Sequence, residues 1–403
     1  MAKDKAGRLR IEGNYAGVQA SYWASVLSMS GFLTVFLSYK GFSDSRIGVT
    51  ASLISVLTIA FQLVISNYSD NHLHIPIKRL VAGLYIVAMT LAALLWQLPM
   101  AVSMTMIVYA MACGFGNTIA GLLNAQIMQY INAGIPVRYG WPRGMGSIGY
   151  AIFAILYGAL IERYSPALLM PLYLLTASVA MALVLWMPDL SRMGERPAPL
   201  IAHEKHQERT SYRQMLSDSP GLRLFLIASI ILYIGMSPTT LFLVRVIQAN
   251  GGGERELGIA MFIQAGIETP IMFLSPWLMR RYKAHSLLSF TFAAHLVKLL
   301  ILTLAGGMGL VYAAMALSIF CFGVYGFASV YFVNGLVRPG EKVRAQGLVS
   351  LCGSLAGIIS SMFAGFVIDN LGLKALLIFS SAVMLAALLL MLRCSRLVQQ
   401  KGL

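Results

Sequence analysis

Apolar runs long enough to cross a bilayer, cut by Gly, Pro and clusters of charge, recur along the 403-residue chain. They predict twelve helices, near 15-39, 46-67, 80-98, 101-131, 143-161 and 166-187, then 221-248, 256-279, 284-304, 309-336, 344-368 and 373-393. A transmembrane helix needs about 20 mostly apolar residues, a length these runs reach. The one long polar segment, Asp189 to Pro220, holds His203, Glu204, Lys205, His206, Glu208 and Arg209 and reads as a cytoplasmic linker. The pattern predicts an all-α membrane protein of two six-helix pseudo-symmetric halves, 1-188 and 221-403, joined by 189-220. The halves also echo each other in sequence. Gly158-Ala-Leu-Ile-Glu162 ends the fifth span and Gly365-Phe-Val-Ile-Asp369 the eleventh, each followed by a short loop and an Ala-Leu-Leu run, at Ala167 and Ala375. The offset is about 207 residues and points to parallel halves, a transporter architecture.

Composition narrows the class. The chain is 58% hydrophobic and 11% charged, against roughly 25% charged in soluble domains. That excludes a large soluble catalytic domain, a secreted disulfide scaffold and a disordered protein. The formal net charge of +15 acquires meaning once the basic residues are sorted by predicted side. With a cytoplasmic N-terminus, 23 of the 30 fall inside, five outside (Lys40, Arg46, Arg163, Arg255 and Lys374) and two, Arg245 and Lys298, within spans. This asymmetry predicts a multi-pass protein of the plasma (inner) membrane with both termini cytoplasmic. The excess charge then meets anionic lipid of the bilayer, and no nucleic-acid partner is needed. No cleavable signal peptide is expected, because the first residues are polar and the first apolar run has span length. Cys113, Cys321, Cys352 and Cys394 show no paired spacing, so neither zinc nor a disulfide is expected.

Of the 15 acids only Glu268 falls near the middle of a predicted span. Glu268 lies 14 residues before Tyr282, the centre of the turn between helices eight and nine, and His295 lies 13 after it. At 1.5 Å per residue these are depths of roughly 21 and 20 Å, with Lys298 one turn beyond His295 on the same face. An ionised group there costs at least about 2.5 kcal/mol, so the three are expected to face the bundle interior and compensate one another. Burial and a nearby ammonium act on a carboxylate in opposite directions, which suits Glu268 to proton coupling under the influence of His295 and Lys298. A static buried ion pair is the alternative. Pro270 frees the carbonyl of Gly266 beside Glu268, and Pro238 after Gly235 does the same in helix seven.

In the first half, helix four carries Asn117, Asn124, Gln126 and Gln129, and helix five opens with Arg143 followed by Gly146, Ser147, Gly149 and Tyr150. The two glycines permit close helix packing, and Arg143 offers a planar fork to a polar solute or an acidic partner. Snorkelling at the interface is the other reading of Arg143, and interhelical hydrogen bonding the other reading of the amides. Tyr22 and Trp23 on helix one, and Tyr325, Tyr331 and Asn334 on helix ten, supply either walls to a site or ordinary packing. Asp70, ahead of Lys78 and Arg79 in the turn after helix two, is either a conformational latch or a solvated turn residue. His72 and His74 beside it read as solvated. There is no Gly-x-x-x-x-Gly-Lys loop, metal-spaced His/Cys set or His-Glu-x-x-His helix. Neither an enzyme nor a self-contained ATP-driven pump is expected.

These residues resemble the major facilitator superfamily, in the branch that includes lactose permease, phenylpropionate permease and related proton symporters. The resemblance spans nearly the whole chain. Arg143-Gly-Met-Gly146-Ser-Ile-Gly149-Tyr150 looks like a fifth-helix Arg-x-x-Gly-x-x-Gly-aromatic motif whose arginine and aromatic contact solute, implying those roles for Arg143 and Tyr150. Gly266-Ile-Glu268-Thr-Pro270, with His295-Leu-Val-Lys298, is similar to a helix-eight glutamate followed by a helix-nine basic residue. Arg344-Ala-Gln346-Gly347, leading to Gly365 and Asp369-Asn-Leu-Gly372, resembles the family's eleventh helix. Departures shift the expectations. Asn124-Ala-Gln126 stands where lactose permease has a glutamate partner for the arginine, arguing against a galactoside. Helix ten lacks the permease's His and Glu, moving coupling to Glu268. Ser66 and Asn71 replace a glycine and a basic residue of the motif around Asp70.

The sequence therefore predicts a proton-coupled symporter of a small polar organic solute such as a sugar, nucleoside or aromatic acid, working by alternating access. Arg143, Tyr150, Gln126, Asn124, Tyr22 and Asn334 are the expected solute contacts. Glu268, His295 and Lys298 are the expected coupling residues, and Asp70 and Arg79 the gate. Partners are the solute, protons and lipid; no cofactor beyond the coupling proton is called for, and a monomer is expected. Two rivals are a proton-driven exporter, since sugar-efflux transporters share a Gly-x-Glu-x-Pro pattern, and a transport-inactive receptor or scaffold.

Overall fold

Hydrocarbon offers no water to the backbone, so each spanning run must satisfy its own amides and carbonyls as a helix. A computed structural model describes residues 2–72, 75–135, 137–188 and 211–400; the side chains at 2–8, 70, 268, 269, 272, 273, 339 and 343 lie outside the description. The first half of the chain forms α1 (Ala2–Val26), α2 (Leu33–Tyr39), α3 (Asp44–Asn71), α4 (Ile77–Gln97), α5 (Val102–Asn132), α6 (Gly140–Arg163) and α7 (Leu169–Trp186). After the short α8 (Tyr212–Asp218) come α9 (Pro220–Leu241), α10 (Leu243–Ala249), α11 (Glu254–Arg281), α12 (Ala284–Leu304), α13 (Met308–Ala316), α14 (Val324–Leu336), α15 (Lys342–Leu371) and α16 (Leu373–Gln400).

Among the described residues ten segments are long and apolar enough to span a membrane, and α1 with α2, bent by 47°, makes an eleventh. The place of the remaining expected span is taken by α11, whose 28 residues give about 42 Å of helix, ample for a ~30 Å hydrocarbon core. The protein is an all-α, multi-pass membrane protein.

Element ends depart from the apolar runs where helix propensity continues beyond them. The expected 15-39 begins instead at Ala2, because Lys3, Lys5, Arg8, Arg10 and Glu12 are sound helix formers though not apolar. Likewise α16 continues past 393 to Gln400. The expected 221-248 is broken at Phe242 into α9 and α10. The expected linker falls mostly on 189-210, outside the described residues; its end forms α8, where Asp218 accepts a hydrogen bond from Arg338 at 3.3 Å.

The chain separates into two compact units, Met1–Phe42 with Leu53–His203, and Ser43–Ser52 with Glu204–Leu403. In the first, α1 packs on α6 and α7, and α4 on α5 and α7. In the second, α9 packs on α15 and α16, and α12 on α14 and α16. The same plan thus appears twice, and local backbone geometry repeats with it. Phe32 breaks the first span at φ −99, ψ 21 and Phe242 the seventh at φ −102, ψ 25. Seven-residue helices follow both breaks, and each is ended by a left-handed glycine, Gly41 at φ 80 and Gly251 at φ 81. A side chain with a Cβ pays a steric penalty in that conformation, which accounts for glycine at both turns. Two further irregularities are π turns, Leu27–Gly31 ahead of the bend in the first span and Ile319–Gly323 between α13 and α14. Such turns inside α-helices frequently mark functional positions.

Candidate solute-binding and coupling residues

Close packing of α1 on α6 is set by two glycines. A Cβ at Gly149 would lie 2.8 Å from the Ala20 Cα, and one at Gly146 would overlap the Trp23 indole. With the helices this near, Arg143 reaches across from the first turn of α6 and its guanidinium lies 5.0 Å from the centre of the Trp23 ring. The arginine is half-buried; its side chain has no hydrogen bond or carboxylate partner among the described residues, and cation–π contact with the indole is what it gains instead. Tyr150 meets the same indole edge-on at 6.4 Å, and Tyr22 does so at 5.5 Å. Three sequence-predicted residues, Arg143, Tyr150 and Tyr22, therefore converge on Trp23. Tyr150 also approaches the π turn of the first span: a Cβ at Gly31 would lie 3.2 Å from its hydroxyl.

The amides on α5 are placed differently. Asn124 accepts a hydrogen bond from Tyr139 at 3.2 Å, and Tyr139 in turn precedes the first residue of α6. Asn124 thus holds the start of the helix that carries Arg143. Gln126 is buried, at 4% exposure, and its Oε1 has no hydrogen-bond partner among the described residues. Two residues apart on one helix, the pair point in nearly opposite directions.

In the second unit, α12 presents His295 and Lys298 to the π turn of the tenth span. The Lys298 ammonium donates to Ser318 Oγ at 2.8 Å, immediately before that turn, and lies 6.0 Å from the Phe322 ring within it. His295 meets Phe322 edge-on at 5.4 Å. Its Nδ1 is 3.0 Å from the Thr291 carbonyl, which can only accept, so Nδ1 carries a proton; Nε2 is buried and has no hydrogen-bond partner among the described residues. The helix bearing Glu268, α11, packs against this same π turn. The Glu268 side chain itself lies outside the described residues. Elsewhere on α14, Asn334 accepts from Gln346 at 3.3 Å, Tyr325 donates to Ser229 Oγ at 3.3 Å, and Tyr331 is exposed. Of the expected gate, Arg79 is exposed and the Asp70 side chain lies outside the described residues, as does His74.

Arg245, to which sequence reasoning gave no role, has a clear one in the second unit. Its Nε donates to Asp44 Oδ1 at 2.9 Å and its Nη2 to the same oxygen at 2.8 Å. Asp369, at the end of α15, accepts from the backbone N–H groups of Asp44 at 3.1 Å and Ser45 at 2.8 Å. A carboxylate there satisfies amides that α3 cannot pair internally and favours the positive end of the helix dipole. The corresponding start of α11 is served locally by Glu256, which accepts from Gly253 N–H at 2.8 Å. Charge-assisted bonds of this kind are worth about 1.5–3 kcal/mol. Arg245→Ala is therefore expected to lower the thermal unfolding temperature, and Asp44→Asn with Arg245→Gln together to cost less than the sum of the single changes. Additive losses would mean the two residues act independently.

All four cysteines are free and buried. No group of three or more His, Cys, Asp or Glu able to hold a metal occurs among the described residues.

This architecture has known counterparts. The nucleoside transporter NupG superposes with a TM-score of 0.77 at 16% identity, covering 96% of this chain and 98% of that one. A point mutant of NupG gives 0.78 at 15% identity, covering 96% and 99%. A bacterial homologue of the iron transporter ferroportin, in an inward-facing state, gives 0.71 at 15% identity, covering 97% and 98%. No curated protein sequence matches the chain. The model of the MFS_1-like family matches residues 14–396. The chain belongs to the MFS_1-like family and is a major facilitator superfamily transporter, not an enzyme.

Proposed function

We propose that the protein is a proton-coupled symporter of a small polar organic solute in the plasma (inner) membrane, with both termini cytoplasmic. It alternates between inward- and outward-facing states, binding solute through Arg143, Trp23, Tyr150 and Tyr22 and taking up its proton on Glu268. One observation carries the solute assignment: the Arg143 guanidinium, half-buried in a membrane protein, rests on an indole face with no carboxylate or hydrogen-bond partner among the described residues. A planar fork of five donors left over an aromatic surface suits a solute that combines a flat ring with hydrogen-bond acceptors. Of sugars, nucleosides and aromatic acids, the last two fit best, and the likeness of fold to a nucleoside transporter puts nucleosides first in a solute panel.

Coupling rests on position. Glu268 lies midway along α11, two residues before Pro270, and α11 packs on the π turn that also receives His295 and Lys298. The buried Nε2 of His295, without a hydrogen-bond partner among the described residues, offers a second proton site in that layer.

The test is counterflow in proteoliposomes across nucleosides, aromatic acids and sugars. For the solute it selects, Arg143→Lys is expected to raise the half-saturation concentration about tenfold or more while maximal flux changes little, because the fork is lost while the charge remains. Unchanged half-saturation would remove Arg143 from the site.

A further inference from the structure

One face of α1 carries a hydrogen-bonded relay that ends at the Arg143 platform. Tyr15, Gln19 and Trp23 follow at intervals of four residues, a spacing that stacks side chains along a helix. The Tyr15 hydroxyl donates to the Leu123 carbonyl at 3.2 Å, Gln19 Nε2 donates to Tyr15 at 2.7 Å, and the Trp23 indole N–H donates to Gln19 Oε1 at 3.2 Å. Its direction is fixed chemically: an indole can only donate, so the amide oxygen of Gln19 must face Trp23 and its NH₂ must face Tyr15. Tyr15 and Gln19 are buried, at 0% and 2% exposure, so neither has water to substitute for these bonds. On its far side the indole is stopped by the α6 backbone at Gly146. It is thus held between an amide and a helix, with the guanidinium on its face.

We propose that Gln19 is a positioning residue of the solute site, fixing the Trp23 indole and through it the Arg143 guanidinium. In this role Gln19 acts through its bond to the indole N–H. This rests on the reading of Arg143 and Trp23 as solute contacts, so its test reads the two separately. Trp96, Trp141, Trp186 and Trp277 are the other tryptophans, all at least 48% exposed, and each is replaceable by Phe to leave Trp23 as the only indole.

In that background, quenching of Trp23 fluorescence by iodide, drawn to the guanidinium, is compared with quenching by neutral acrylamide. Arg143→Gln is expected to lower the iodide-to-acrylamide ratio about threefold or more, since a cation resting on the indole concentrates the anion locally. Gln19→Met, nearly equal in volume but unable to accept the indole N–H, is expected to lower that ratio as well and to speed the decay of Trp23 anisotropy. An unchanged ratio and anisotropy in Gln19→Met overturns the positioning role while leaving the solute site standing. An unchanged ratio in Arg143→Gln, or a Trp23 that iodide does not reach at all, overturns the solute-site reading itself.

Discussion

Glu268→Gln is expected to abolish accumulation of solute against its gradient while counterflow of the same solute continues. Gln keeps the size and hydrogen-bonding ability of the side chain but has no titratable proton, so the step that links solute movement to the proton gradient is removed and the carrier remains. One proton moved per solute converts each unit of pH gradient, ~1.4 kcal/mol, into about a tenfold concentration ratio. The expected result is therefore a ratio near unity at every imposed gradient. The acid's neighbourhood favours this outcome. α11 contains Pro270 and Pro276, which interrupt its hydrogen bonding, and packs on a π turn shared with His295 and the Lys298 ammonium. Ionisable residues within membrane spans are costly and commonly mark proton or solute pathways. Accumulation equal to wild type in Glu268→Gln would reduce the acid to a structural role.

Gly365→Leu is expected to be the most disruptive single change in the second unit. A Cβ at Gly365 would overlap the Asp44 carbonyl oxygen and lie 2.7 Å from its carbon and 2.9 Å from the Ser45 Cα. From the other side, a Cβ at Gly48 would overlap the Ser361 carbonyl. Each obstruction is backbone, so no side chain can rotate away. Only separation of α15 from the first turns of α3 relieves the clash. That separation also stretches the bonds from Asp44 and Ser45 N–H to Asp369, and the Ser52 hydroxyl's bond to the Ile358 carbonyl at 2.6 Å. Overpacking alone costs about 1–3 kcal/mol, and loss of the bonds to the charged carboxylate adds to it. The buried cysteines make the effect measurable, since a thiol-reactive dye reports unfolding as Cys113, Cys321, Cys352 and Cys394 become accessible. Gly365→Ala should shift the transition downward, and Gly365→Leu should shift it further or prevent recovery of folded protein. Wild-type transitions in both would mean that the helices part without cost.

The spans were legible in the sequence because bilayer crossing leaves a strong apolar signature, and the repeated Gly-x-x-Ile-acid ends of helices five and eleven marked the two halves. Helix ends were less legible. Residues from Ala2 onward are helical without being apolar, and the breaks at Phe32 and Phe242 fall at aromatic residues that look unremarkable in a hydrophobic run. Phe242 had a partial signal in Pro238, whose carbonyl accepts from the Phe242 N–H. At the candidate site, the glycines after Arg143 announced close packing, but not that Trp23 would be the surface beneath the guanidinium. The i, i+4, i+8 set of Tyr15, Gln19 and Trp23 was readable as one helix face, yet its hydrogen bonds depend on rotamers that spacing does not give. Arg245 was opaque for a simpler reason: its partner Asp44 is 201 residues away.

Proton-coupled transport is tested most directly by one experiment, uptake into proteoliposomes of the solute chosen by counterflow, with and without an imposed pH gradient. A gradient acid on the side of entry is expected to drive accumulation above the external concentration, and collapsing it with a protonophore to return the ratio to unity. Accumulation indifferent to the gradient would contradict proton coupling; accumulation driven only by the opposite gradient would make the protein an exporter. Absence of counterflow for every solute in the panel would contradict transport of the proposed solute classes and favour a receptor or scaffold.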